Sequence, residues 1–104
     1  VHIAHNVKIG RHCLIMGEAG IARSVVLGDK VIIGGQAAIS DHVTIGDNTV
    51  VMGKTGVMSN LPANQIVFGH MARPRLLAMK IEALLGKLPE MHKAIHKIQK
   101  KLGI

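Results

Sequence analysis

A chain of 104 residues with a formal net charge of +7 has room for one domain and an appendage. It carries one cysteine, one phenylalanine and no tryptophan or tyrosine, which excludes a disulfide scaffold and a core built on aromatic rings. No apolar run reaches membrane-spanning length and no signal peptide is visible.

From the start of the chain, ten apolar residues fall at one spacing: Ile3, Ile9, Ile15, Ile21, Leu27, Ile33, Ile39, Ile45, Val51 and Val57, each six residues after the last. An internal repeat of this kind is settled before any other feature. A second register follows four residues behind: Val7, Cys13, Ala19, Val25, Val31, Ala37, Val43, Thr49, Thr55 and Leu61. The residue after the first register is often small, as at Ala4, Gly10, Ala22, Gly28, Gly34 and Gly46.

Six residues suit a short strand plus a corner. Both registers can face one interior, because side chains alternate along a strand. Small residues are expected at the corners, where the chain bends. Three sides make a triangular coil of eighteen residues, and stacked coils pair through backbone hydrogen bonds about 4.8 Å apart. Stability is then a nearest-neighbour sum. A β-sandwich is disfavoured, because its strands do not recur at one invariant period. Cys13 lies on the interior register and is expected to be a buried small hydrophobe. Val1 and His2 lead into Ile3 with no polar cap and no initiator Met, so a fragment with further coils upstream is expected.

The hexad ends near Leu61-Pro62, giving a solenoid over 1–61. Pro62, Asn64, Gly69 and Pro74 mark a connecting loop over 62–74. Helices are expected over 75–104. The first carries Leu77, Ile81, Leu84 and Leu85 on one side and ends at Gly86. The second has Pro89 in its first turn and a seam of Leu88, Met91, Ile95, Ile98 and Leu102, spaced as in a coiled coil. So short a seam does not stand alone in water and must pack on another helix. At the end of a triangular solenoid it suggests a symmetric trimer.

Charge is concentrated in this tail. Residues 1–72 hold five basic and four acidic side chains; residues 73–104 hold eight basic and two acidic. A basic helical tail suits an acidic protein, anionic lipid or nucleic acid, or is simply a solvated face. Nucleic acid is disfavoured, because the basic residues lack interleaved aromatics.

Seven histidines are candidates for chemistry: His2, His5, His12, His42, His70, His92 and His96. His2 and His5 lack a third ligand nearby, and so do His92 and His96, one helical turn apart; no metal is expected. His5 follows an interior Ile by two places, so it stands on the wall facing outward. His42 is 37 residues further on, about two coils away. A solenoid wall has no pocket of its own; one forms in the groove between two solenoids. An outward histidine there suits a general base.

The strings Ile3-Ala4-His5-Asn6-Val7-Lys8-Ile9-Gly10, Ile32-Ile33-Gly34-Gly35-Gln36 and Asp41-His42 resemble one family. So do the exit Gly56-Val57-Met58, Ala72-Arg73-Pro74 and the Leu88-Pro89-Glu90 helix. Together they resemble the C-terminal portion of UDP-3-O-acylglucosamine N-acyltransferases of lipid A biosynthesis. The resemblance implies a left-handed parallel β-helix, although parallel crossovers are otherwise nearly always right-handed. It implies a cytoplasmic homotrimer of a Gram-negative-type bacterium that takes a 3-hydroxyacyl group from acyl carrier protein, with phosphopantetheine as the arm and no other cofactor. His5 matches the catalytic base, and Asn6 and His42 match substrate-binding positions. A backbone N–H one coil beyond the base would hold the oxyanion. Where the family has Gly in Ile-Ala-Gly-Ser, this chain has Arg23 in Ile21-Ala22-Arg23-Ser24. The N–H survives, but the side chain adds bulk and charge. The uridine-recognition domain of the family is absent from these 104 residues. Arg73, Arg75 and Lys80 are the expected contacts to the acidic carrier protein. Competing readings are an O-acyltransferase of the same pathway, an acetyl-coenzyme-A-dependent transferase of the same fold, and an inactive trimerisation module.

Overall fold

The computed structural model describes residues 1–69 and 73–104. Eleven two-residue strands come first: β1 (His2–Ile3), β2 (Lys8–Ile9), β3 (Leu14–Ile15), β4 (Gly20–Ile21), β5 (Val26–Leu27), β6 (Ile32–Ile33), β7 (Ala38–Ile39), β8 (Thr44–Ile45), β9 (Val50–Val51), β10 (Gly56–Val57) and β11 (Ile66–Val67). They form three parallel ladders, β1-β4-β7-β10, β2-β5-β8 and β3-β6-β9-β11. Strands eighteen residues apart stand in register, Ile3 on Ile21 and Ile21 on Ile39. This is the expected mainly β, left-handed parallel β-helix, of about four coils, with two helices after it in the chain.

The interior is the two registers. Ile21, Val25, Val31, Ile33, Ile45 and Val51 are each no more than 1% exposed. Each such side chain stabilises the stack by roughly 1.5–3 kcal/mol relative to exposure. Ile3 and Ile9, in the first coil, are 44% and 40% exposed, because they stack on one side only. The same position explains Cys13, expected to be buried and in fact half-buried, with Sγ 3.1 Å from the Gly28 carbonyl oxygen.

The corners differ from the expectation. The bend is made by a pair of residues, of which the second is left-handed and never glycine: Asn6, His12, Glu18, Ser24, Lys30, Gln36, His42, Asn48, Lys54 and Asn64 have φ of 57–63°. None is β-branched, which that conformation disfavours. The glycines stand just before the bend for another reason. A Cβ on Gly10 or Gly28 would run into the coil below.

The ladder also runs past residue 61. Ile45 bridges to Leu61, sixteen residues on, and Val51 pairs with Val67. The fourth coil is two residues short, so Leu61 stands under Ile45 of the first register instead of under Val43. β11 therefore lies inside the stretch expected to be loop.

The chain divides into a unit of residues 1–70 and a unit of residues 71–104. The second holds α1 (Arg75–Leu85) and α2 (Leu88–Leu102). Gly86 follows α1 in right-handed geometry, and the left-handed cap is at Gly103, with φ of 70°. No described residue of either helix is buried; Met91, Ile95, Ile98 and Leu102 of the α2 seam are 41–67% exposed. Among the described residues no helix is long and apolar enough to cross a membrane.

Candidate active site

His5 and Asn6 form the corner between β1 and β2. His5 is thus on a bend at the end of the wall, and it is exposed. Its carbonyl accepts the N–H of Ser24 (3.1 Å), and the Arg23 carbonyl accepts the N–H of His42 (3.0 Å). These bonds define two neighbouring columns, His5–Arg23–Asp41 and Asn6–Ser24–His42, each descending one rung of about 4.8 Å per residue. Asn6 Nδ2 donates to Ser24 Oγ at 3.1 Å, so both backbone and side chain pin the His5–Asn6 corner to the coil below.

A cavity of about 490 Å³ opens on the face of β1, β4 and β7. His2, His5 and Arg23 line it, over a floor of Ala4, Gly20, Ala22 and Ala38. Outward positions on this face are small below His2, namely Gly20, Ala38 and Gly56, so the backbone itself is the floor. Ala38 also lines a second hollow of about 390 Å³ with Gly56 and Met58. The two hollows meet at Ala38, so a shallow channel floored by small residues runs from His5 toward the fourth coil, with Gln36 and Lys54 on its far wall.

Of the expected residues, the structure brings His5 and Arg23 together on successive rungs. Asn6 and His42 stand one column aside and do not line the cavity. His42 is two rungs below Asn6, about 10 Å away. Among the described residues the Arg23 N–H has no hydrogen-bond acceptor, while Arg23 Nε lies 3.8 Å from Asp41 Oδ2. That ion pair is 63% and 54% exposed, and such pairs contribute little to stability. Arg73, Arg75 and Lys80 belong to the other unit and are exposed. Arg75 and Lys80 lie about 140° apart around α1. Ala72 and His70 lie outside the described residues.

Sequence reasoning missed His2 as a wall of the cavity, Ser24 as the anchor of Asn6, and Asp41 as the partner of Arg23. All three emerge once the sequence is written in rows of eighteen, since His2 stands over Gly20, Asn6 over Ser24 and Arg23 over Asp41. No group of three or more metal-ligating side chains occurs among the described residues.

A six-residue period and three parallel ladders make this a hexapeptide-repeat solenoid. The chain is 54% identical over 102 residues to UDP-3-O-acylglucosamine N-acyltransferase 1 of Gloeobacter violaceus, covering 98% of this chain and 29% of that protein. It is 57% identical over 102 residues to UDP-3-O-acylglucosamine N-acyltransferase of Desulfotalea psychrophila, covering 98% and 30%. With the protein of that name from Methylacidiphilum infernorum it shares 54% over 101 residues, 97% and 29%. Over its own length the chain is similar to these UDP-3-O-acylglucosamine N-acyltransferases, and it spans about 30% of their length. No family model matches it.

Proposed function

We propose that this chain carries the acyl-transfer centre of an N-acyltransferase that moves a 3-hydroxyacyl group from acyl carrier protein to the 2-amine of UDP-3-O-acylglucosamine. One observation carries the reading: His5 and the Arg23 N–H, which has no acceptor among the described residues, occupy successive rungs of one corner column, at the head of a channel of small residues. An imidazole and a backbone donor about one rung apart suit a carbonyl attacked by an amine.

The amine is the nucleophile. Its nitrogen attacks the thioester carbon and its proton passes to His5. The carbonyl oxygen gains negative charge facing the Arg23 N–H, which needs no reorganisation to receive it. The C–N bond is retained as the C–S bond breaks, and the pantetheine sulfur leaves with the proton that His5 returns. No acyl-enzyme forms. The acyl chain lies along Gly20, Ala38 and Gly56, where no outward side chain obstructs it, with Met58 at the far end. Asn6, anchored by Ser24, and His42 then bind the sugar nucleotide beside the base.

The apolar exterior of the third ladder supports a trimer. Leu14, Ile66 and Phe68 are 51%, 73% and 79% exposed there, and a second solenoid against such a face would wall the channel. The α2 seam is open to the same assembly. Arg73, Arg75 and Lys80 are assigned to the carrier protein, and the reaction to the cytoplasm.

Acyl transfer is assayed with this chain and its His5→Ala variant, using 3-hydroxyacyl carrier protein and UDP-3-O-acylglucosamine, with product read by mass. Loss of a general base lowers the rate by about 10²–10⁴. Equal rates in both proteins would remove His5 from the mechanism.

A further inference from the structure

We infer that Ala22 is a positioning residue: its methyl group keeps the Asp41 carboxylate off the Arg23 N–H, and so keeps that donor open. The inference rests on the reading of this N–H as the oxyanion donor.

The second corner of the same solenoid shows what happens without the methyl. There Asp29 Oδ1 accepts the Arg11 N–H at 2.8 Å, and Asp47 Oδ1 accepts the Asp29 N–H at 2.7 Å. In both cases a carboxylate caps the backbone N–H of the residue eighteen places earlier. The residue before each capped N–H is glycine, Gly10 or Gly28. A Cβ built on Gly10 collides with Asp29 Oδ1, and one built on Gly28 collides with Asp47 Oδ1. The space a methyl would need is the space the capping oxygen uses.

Arg23 and Asp41 stand in the same relation, eighteen residues apart, with the N–H above and the carboxylate below. The residue before Arg23 is alanine. Here the N–H is uncapped among the described residues, and the carboxylate is turned to the guanidinium, with Oδ2 3.8 Å from Nε. The two corners thus share the aspartate and differ at the residue before the N–H. A capped donor would be lost to the developing oxyanion, and a carboxylate beside it would repel that charge.

The test uses this chain, Ala22→Gly and the double variant Ala22→Gly/Asp41→Ala. The Arg23 amide is followed by proton–nitrogen NMR and hydrogen exchange, with the Asp29 amide as an internal example of a capped group. The expected result is that in Ala22→Gly the Arg23 amide moves downfield and exchanges more slowly, toward the behaviour of Asp29. The double variant returns it to its position in the parent. Acyl transfer falls about a hundredfold in Ala22→Gly, the cost of losing one oxyanion donor, and recovers when Asp41 is also removed. An Arg23 amide unmoved by Ala22→Gly would overturn the inference. So would a loss of transfer that Asp41→Ala does not relieve, since a merely structural effect of glycine would persist. If the amide becomes capped and transfer is unaffected, the steric role of Ala22 stands and the oxyanion assignment falls. If the parent transfers no acyl group, the reading of the activity falls, and the amide alone decides the inference.

Discussion

Replacing Gly28 by alanine tests the packing logic of the corners directly. The added Cβ would lie 2.9 Å from the Asp47 backbone nitrogen and 3.2 Å from its Cα, besides colliding with the capping carboxylate oxygen. The carboxylate can swing away, which forfeits the 2.7 Å bond from the Asp29 N–H. An exposed bond of that kind contributes about 1 kcal/mol. The backbone contacts remain and force the coils apart locally, at about 1–3 kcal/mol by analogy with overpacking. Gly28→Ala is therefore expected to destabilise by about 2–4 kcal/mol. Gly20→Ala is the control, because nothing lies within 4 Å of its added Cβ and its φ is ordinary. That change is expected within about 0.5 kcal/mol of the parent. The assay is urea unfolding followed by circular dichroism, at one fixed protein concentration because self-association would shift apparent stability. If the two variants unfolded at the same urea concentration, the idea that coil-to-coil approach selects glycine at this position would be wrong.

Thr55 is 4% exposed, and its Oγ1 has no hydrogen-bond partner among the described residues. Thr55→Val keeps the shape and removes the unpaired group, so it is expected to stabilise by about 1 kcal/mol; a lower unfolding midpoint would show that the hydroxyl is satisfied. Neutralising Arg73, Arg75 and Lys80 together is expected to raise the KM for carrier protein at low salt, and to leave KM for the sugar nucleotide unchanged. An unaltered carrier KM at low ionic strength would take these residues out of the contact.

The hexad made most of the solenoid legible, because the period is a property of apolar side chains and those are what the interior selects. Three things were not legible in it. The left-handed corner positions are held by Asn, His, Glu, Ser, Lys and Gln, which share a backbone conformation and no side-chain chemistry. The last turn was hidden because two missing residues put Leu61 out of phase, although the hydrogen-bonded ladder absorbs the loss and continues to Val67. The small residues were visible, but their cause was not: bending does not require them, whereas the approach of the next coil does. For the site, His5 and Arg23 stand out through the family resemblance, and their stacking follows from the eighteen-residue coil. Asp41 and Ser24 act only through residues one coil away, so no local string reveals them.

The solenoid repeats one construction at three corners, yet it treats them differently. At the second corner, Gly10 and Gly28 let the coils close, and Asp29 and Asp47 cap backbone donors. At the first corner, Ala4 and Ala22 hold a methyl in the same place, and the Arg23 N–H is left without an acceptor among the described residues. A repeat fold makes this division possible, because each rung is supported by its neighbours through the interior and the ladder rather than through its corner bonds. Ile21 and Val25, on either side of the Arg23–Ser24 bend, lie fully buried beside an unfinished corner. An unpaired donor at one corner costs the stack little, since its stability is a sum over contacts made elsewhere. The proposed catalytic features sit on that corner while the interior registers carry the fold, so Ala22→Gly is expected to alter chemistry with small effect on unfolding, and Gly28→Ala the reverse.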